Sequence, residues 1–143
     1  MRAVDGSPMR DTAPATTLRS ALLAPMLDAI ALLIFVAAGR ESHGLDEGAA
    51  WFLGVLWPIV AGWFAVALIV LLYTRRTHQP LRLAVTIVAG VGAGLLLRAA
   101  VTHRATPVAF LIVAYAFITL LTAGWRLVAL GVREMVRRRA AVS

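Results

Sequence analysis

Long uncharged runs alternate along this chain with short clusters of charge. Four runs, at 22–38, 49–73, 83–101 and 108–130, come close to the roughly 20 apolar residues that a helix needs to cross a hydrocarbon core. The connections at 39–48, 74–82 and 102–107 leave no room for a soluble domain. The pattern predicts an all-α chain: a four-transmembrane-helix bundle over 21–131, a mobile cytoplasmic tail at 1–20 with Pro8 and Pro14, and a basic cytoplasmic tail at 132–143.

Composition strengthens that reading. The chain is 61% hydrophobic and 15% charged, with a mean hydropathy of +0.85, whereas a soluble domain is roughly half apolar and a quarter charged. The lipid bilayer is its first expected partner. Cysteine is absent, which removes disulfides, thiolate chemistry and cysteine-bound metals.

All fourteen basic residues are arginine and the net charge is +7, a balance that in a soluble protein would suggest nucleic acid. Here the arginines flank the apolar runs, and no aromatic residues interleave with them for base stacking, so no nucleic-acid partner is expected. Eleven arginines (Arg2, Arg10, Arg19, Arg75, Arg76, Arg82, Arg126, Arg133, Arg137, Arg138, Arg139) fall on the tail, middle-loop and C-terminal side, against three (Arg40, Arg98, Arg104) elsewhere. By the positive-inside rule both termini and 74–82 are expected in the cytoplasm, with 39–48 and 102–106 outside a cell membrane. Arg19, the following apolar stretch and the small residues "VAAG" also resemble a cleavable signal peptide. Pro25 and Asp28 interrupt the apolar core such a peptide needs, so the first helix is expected to be retained.

Asp28 is the conspicuous residue. An aspartate near a helix centre costs roughly 2.5–3.5 kcal/mol on an insertion scale, which nearly cancels the apolar gain of the rest of this run. It is therefore expected to face the bundle interior and to be paired, hydrated or protonated. Arg126 matches it in depth. At about 1.5 Å per residue, Asp28 lies roughly 9 Å and Arg126 roughly 6 Å inside the same ends of the first and fourth runs. Arg126 also leans toward its helix N-terminus, into the membrane. Two readings remain open: a pair that fixes helix register, and an acid that carries a proton or cation. Arg98 sits too far from that level and has Glu41, Asp46 and Glu47 of the first loop as natural partners.

The third run contains "TIVAGVGAG", where Thr86, Gly90 and Gly94 recur at four-residue spacing and Gly92 adds to the small face. Such a stripe permits close helix contact, either inside the chain or as a homodimer seam. In "WFLGVLWPIVAGWF", Pro58 cannot donate to the carbonyl of Gly54, which predicts a kink. Trp51, Trp57 and Tyr73 suit interfacial belts, whereas Trp63 lies deeper and is expected to pack. Arg40, Glu41, His43, Arg98 and His103 form a polar cluster at the outer mouth. The two histidines lack helical ligand spacing and the arginines repel a cation, so no metal and no cofactor are expected. "ESHGLDE" has the residue types of Ser/His/Asp catalysis without the strand-to-helix elbow, so no enzymatic activity is expected.

An acid early in the first helix, a Gly-Arg and a His at its outer end, then Trp and Pro in the second map to Asp28, Gly39, Arg40, His43, Trp57 and Pro58. In these the chain, over about 20 to 130, resembles the Domain of Unknown Function 3054 family of small bacterial and archaeal membrane proteins. The resemblance implies a four-helix topology and no activity. The expected function is a non-enzymatic structural or partner-binding membrane subunit, its partner a second copy or another membrane protein. The alternative is a proton- or cation-coupled transporter using Asp28, similar in arrangement to small multidrug resistance transporters; those use a Glu and an aromatic cage, and this first helix offers only Phe35.

Overall fold

The computed structural model describes residues 15–42, 49–75, 77–103 and 105–141. Helix α1 spans Ala15–Ser42 and α2 spans Ala49–Ile69. The third span is composite: α3 (Gln79–Val85), a π-helical turn (Thr86–Gly90) and α4 (Val91–Thr102) run on without a break. Helix α5 spans Val108–Ala140. All four spans carry windows with mean hydropathy between 2.0 and 2.2, so the chain has four helices long and apolar enough to cross a membrane, as its pattern predicts. Among the described residues there is no β-strand.

The spans form a ring. Helix α1 packs on α2 and α5, the third span packs on α2 and α5, and α1 does not touch the third span among the described residues. Inside the ring lie Leu32, Phe35 and Val36 of α1, Val55, Ile59, Trp63 and Ala67 of α2, Ile87, Val91 and Leu95 of the third span, and Ala114 and Ile118 of α5. The outer surface is rich in exposed Leu, Ile and Val. Lipid tails are as apolar as this interior, so the ring gains cohesion from tight packing and polar contacts rather than from expelled water.

Several element limits differ from the sequence pattern, for identifiable reasons. Helix α1 already begins at Ala15, inside the stretch read as a tail, while residues 1–14 lie outside the described residues. Helix α5 continues to Ala140, through most of the stretch read as a basic tail. Its last two turns are mostly arginine, glutamate, methionine and alanine, good helix formers, and Arg138 pairs with Glu134 one turn back at 2.9 Å. Helix α2 stops at Ile69 rather than reaching Tyr73. There the Leu72 N–H donates to the Ala67 carbonyl at 2.9 Å and the Leu71 N–H to the Leu68 carbonyl at 3.1 Å, the paired bonds of a Schellman termination.

That termination places Leu71 at φ 56, a left-handed conformation that usually falls to glycine and costs another residue roughly 1–2 kcal/mol. Burial of the next side chain, Leu72, offsets it. Arg82, whose sequence position reads only as a topology signal, closes the turn. Its Nε donates to the Thr77 carbonyl at 2.9 Å, and its Nη1 donates to the carbonyl of Val70 at the end of α2.

Candidate functional site

Asp28 lies on the inner face of α1 with a relative exposure of 0%. Three donors converge on it from two other elements. Arg126 of α5 makes a two-pronged contact, Nη1 to Oδ1 at 2.6 Å and Nη2 to Oδ2 at 2.7 Å. The indole N–H of the adjacent Trp125 donates to Oδ1 at 2.9 Å. Tyr73, carried back toward the bundle by the turn after α2, donates its hydroxyl to Oδ2 at 2.7 Å. Each carboxylate oxygen thus accepts two hydrogen bonds.

Every donor is itself held. Trp63, one turn and more inside α2, donates its indole N–H to the Tyr73 hydroxyl at 3.0 Å. The Arg126 guanidinium lies over the Trp125 ring, 4.3 Å from its centroid, and gives a further hydrogen bond to the Thr122 carbonyl at 2.8 Å. Thr122 in turn donates to the Ile118 carbonyl at 2.7 Å, so its hydroxyl is not left unsatisfied in the interior. The Arg126 side chain is mostly enclosed by these partners, with a relative exposure of 19%. The chain Trp63–Tyr73–Asp28–Arg126–Thr122 therefore crosses from α2 through α1 to α5 with its members satisfied. In a low-dielectric setting such a network is rigid, since losing one member strands the next.

Spacing and depth bring Asp28 and Arg126 to the same level in the sequence, and the structure brings them into contact. The other members carry weaker signals. Tyr73 reads as an interfacial aromatic until the Schellman turn redirects it, and Trp63 reads as packing, which is half its role. Trp125 has only its adjacency to Arg126.

The small-residue stripe lies elsewhere, at the seam between α2 and the third span. A Cβ added at Gly62 would fall 2.3 Å from the Gly94 nitrogen, and one at Gly94 would fall 2.7 Å from the Ile59 Cα. At Gly90 it would meet the Trp63 Cα at 3.1 Å. Thr86 is buried on the same face and turns its hydroxyl to the Arg82 carbonyl at 2.8 Å. Thr86, Gly90 and Gly94 are thus occupied within the chain, so a homodimer would have to use another surface. Pro58 is buried in this seam, its carbonyl 3.0 Å from where a Cβ of Gly94 would sit, and Gly54 faces open space. Gly92 serves another contact. A Cβ there would lie 3.0 Å from the Tyr115 hydroxyl, which donates to the Val88 carbonyl inside the π-helical turn at 2.8 Å.

Of the outer-mouth cluster, His43 and the side chains of Arg40 and Glu41 lie outside the described residues. Arg98 sits over the Phe110 ring, 5.0 Å from its centroid, and His103 ends α4 in a left-handed conformation at φ 50. Phe35 belongs to a ring cluster with Phe110 and Phe117, at centroid distances of 6.1 and 6.0 Å.

No curated protein and no solved structure shows significant similarity to the chain. A family model described as Protein of unknown function (DUF3054) matches residues 25–129. That stretch runs from just before Asp28 to just past Arg126 and includes all or part of each of the four spans, so the chain belongs to the DUF3054 family, whose description assigns no activity.

Proposed function

We propose that the chain is a non-enzymatic structural or partner-binding subunit of the cell membrane, with both termini in the cytoplasm, and that Asp28 and Arg126 are its register lock rather than a transport site. One observation carries this reading: a fully buried carboxylate whose two oxygens accept four hydrogen bonds from Tyr73, Trp125 and Arg126. A carrier acid must release and rebind its proton or cation in each cycle, which requires an oxygen that can be freed. Here freeing one means unpairing a buried guanidinium or stranding the Tyr73–Trp63 relay, both costly. The orientation rests on the eleven-to-three arginine split. Helix α5 adds to it, since its basic last turn (Arg137, Arg138, Arg139) lies beyond the end that bears Arg126.

The reading is tested by reconstituting the protein in vesicles and measuring uptake driven by a pH gradient across a broad panel of small cations. No gradient-driven uptake is expected. Uptake that is present in the wild type and lost in Asp28→Asn would replace the lock with a carrier. Cysteine labelling of the N-terminus from outside the cell would overturn the orientation.

A further inference from the structure

Helix α5 is longer than a membrane requires. Its 33 residues include the apolar run at 108–130, which alone measures roughly 35 Å at about 1.5 Å per residue and so covers a hydrocarbon core of ~30 Å. The stretch 131–140 continues as helix past that run, beyond Arg126. Arg133, Arg137 and Arg138 are all exposed there. Arg75 is exposed at the same end, in the turn after α2 that brings Tyr73 to Asp28. Among the described residues the carboxylates near this end are both engaged, Asp28 by its network and Glu134 by Arg138 at 2.9 Å. Neither pairs with Arg75, Arg133 or Arg137. Arg82, by contrast, spends its guanidinium on the carbonyls of Thr77 and Val70.

Depth decides what can meet these charges. Arg133 and Arg137 share a face at four-residue spacing and stand roughly 5 and 10 Å beyond Leu130 along α5. The headgroup layer is roughly 5–8 Å deep on each side of the hydrocarbon. Helix side chains lean toward the N-terminus, which in α5 is back toward the membrane, so both guanidinium groups reach the phosphate layer while their stems follow the helix. On another face Val128, Val132, Met135 and Val136 recur at i, i+4, i+7 and i+8, each more than half exposed. An apolar stripe beside a basic one is the pattern of a segment at a membrane interface rather than in bulk water. A second copy docked here would set arginine against arginine, whereas anionic headgroups supply the missing counter-charge at the required depth.

We infer that the continuation of α5 through 131–140, with Arg133, Arg137 and Arg138 and with Arg75 beside it, is a docking surface for anionic phospholipid headgroups, which it gathers in the leaflet that adjoins this end of the bundle. The surface is independent of the role proposed for Asp28 and acts on either leaflet, whichever way the chain is oriented.

The chain has no cysteine, so Leu130→Cys, at a position 60% exposed, gives the full chain a single fluorophore at the edge of this surface. In phosphatidylcholine nanodiscs, quenching of that fluorophore by nitroxide-labelled phosphatidylglycerol is compared with quenching by equally labelled phosphatidylcholine. Phosphatidylglycerol is expected to be enriched roughly fivefold beside the label, the factor that one charge near such a surface is worth. The preference should fade as salt rises from ~0.1 M to ~1 M and the screening length falls from ~10 Å to ~3 Å. Changing Arg133, Arg137 and Arg138 together to Gln should abolish it, whereas changing all three to Lys should keep it, because a surface of headgroups reads charge rather than the planar fork. Should the Gln variant not fold, the salt series on the wild-type arginines decides. Equal quenching by the two lipids would overturn the surface, as would an enrichment that survives the Gln changes or ignores salt. A label that responds to soluble polyglutamate but shows no lipid preference would also overturn it, by assigning these arginines to an acidic protein partner.

Discussion

Two seams hold this bundle, and they work by opposite means. Between α2 and the third span, Gly62, Gly90 and Gly94 bring backbones so close that a single added carbon at Gly62 would lie 2.3 Å from the facing nitrogen. Its energy comes from dispersion over a close, dry contact. Around Asp28, by contrast, α1, α5 and the turn after α2 are joined by long polar side chains that reach across the interior. The first seam has no tolerance for added volume, and the second has no tolerance for a missing partner.

The largest expected effects attack the first seam. Gly62→Leu and Gly94→Ile put a branched side chain where the opposing backbone stands, and no flexible side chain is there to yield. Both are expected to prevent recovery of a monodisperse, thermally cooperative protein in detergent; Gly90→Ile, facing the Trp63 Cα at 3.1 Å, is expected to be milder than Gly94→Ile. Near-wild-type melting of Gly62→Leu would mean the two helices are not in contact through this face.

Removing one member of the ion pair should rank next, at roughly 3–5 kcal/mol for Asp28→Asn or Arg126→Gln, because each leaves a buried charge alone. Tyr73→Phe is expected to cost roughly 1–3 kcal/mol, since it removes a donor from Asp28 Oδ2 and orphans the Trp63 indole N–H together. Reversible unfolding in mixed micelles would measure it. Adding Trp63→Phe to Tyr73→Phe should then add little, whereas independent losses would show that the two aromatics do not act in series.

The smallest effect lies outside both seams. Gly131 in the exposed last part of α5 has nothing within 4 Å of an added Cβ, so Gly131→Ala should stabilise by roughly 0.5–1 kcal/mol through helix propensity. A loss of stability there would reveal a neighbour that the bundle itself does not supply.

The seams also differ in how far the sequence reveals them. The glycine seam is legible because Thr86, Gly90 and Gly94 share a face by local spacing, and only the identity of the facing helix had to come from three dimensions. Asp28 and Arg126 could be matched because membrane depth is a coordinate that can be counted along each helix. Tyr73 could not. Its place depends on Leu71 adopting a conformation usual for glycine and on Arg82 tying down the carbonyl of Val70, and neither follows from hydropathy. Composition likewise gives no sign of the π-helical turn at Thr86–Gly90, whose Val88 carbonyl is taken up by Tyr115 from another helix. Helices α1 and α5 run beyond the apolar stretches at 22–38 and 108–130, because a hydropathy window ends where polar and charged residues begin, while a helix does not have to end there.

Asp28 and Arg126 act as one unit if they form a lock, and a double-mutant cycle reads this directly. Unfolding free energies would be measured for wild type, Asp28→Asn, Arg126→Gln and the double variant under one set of micelle conditions. Strong coupling is predicted: each single change costs roughly 3–5 kcal/mol, and the pair together costs much less than the two losses combined. Additive losses, with a coupling energy near zero, would contradict the lock and leave Asp28 in need of another explanation.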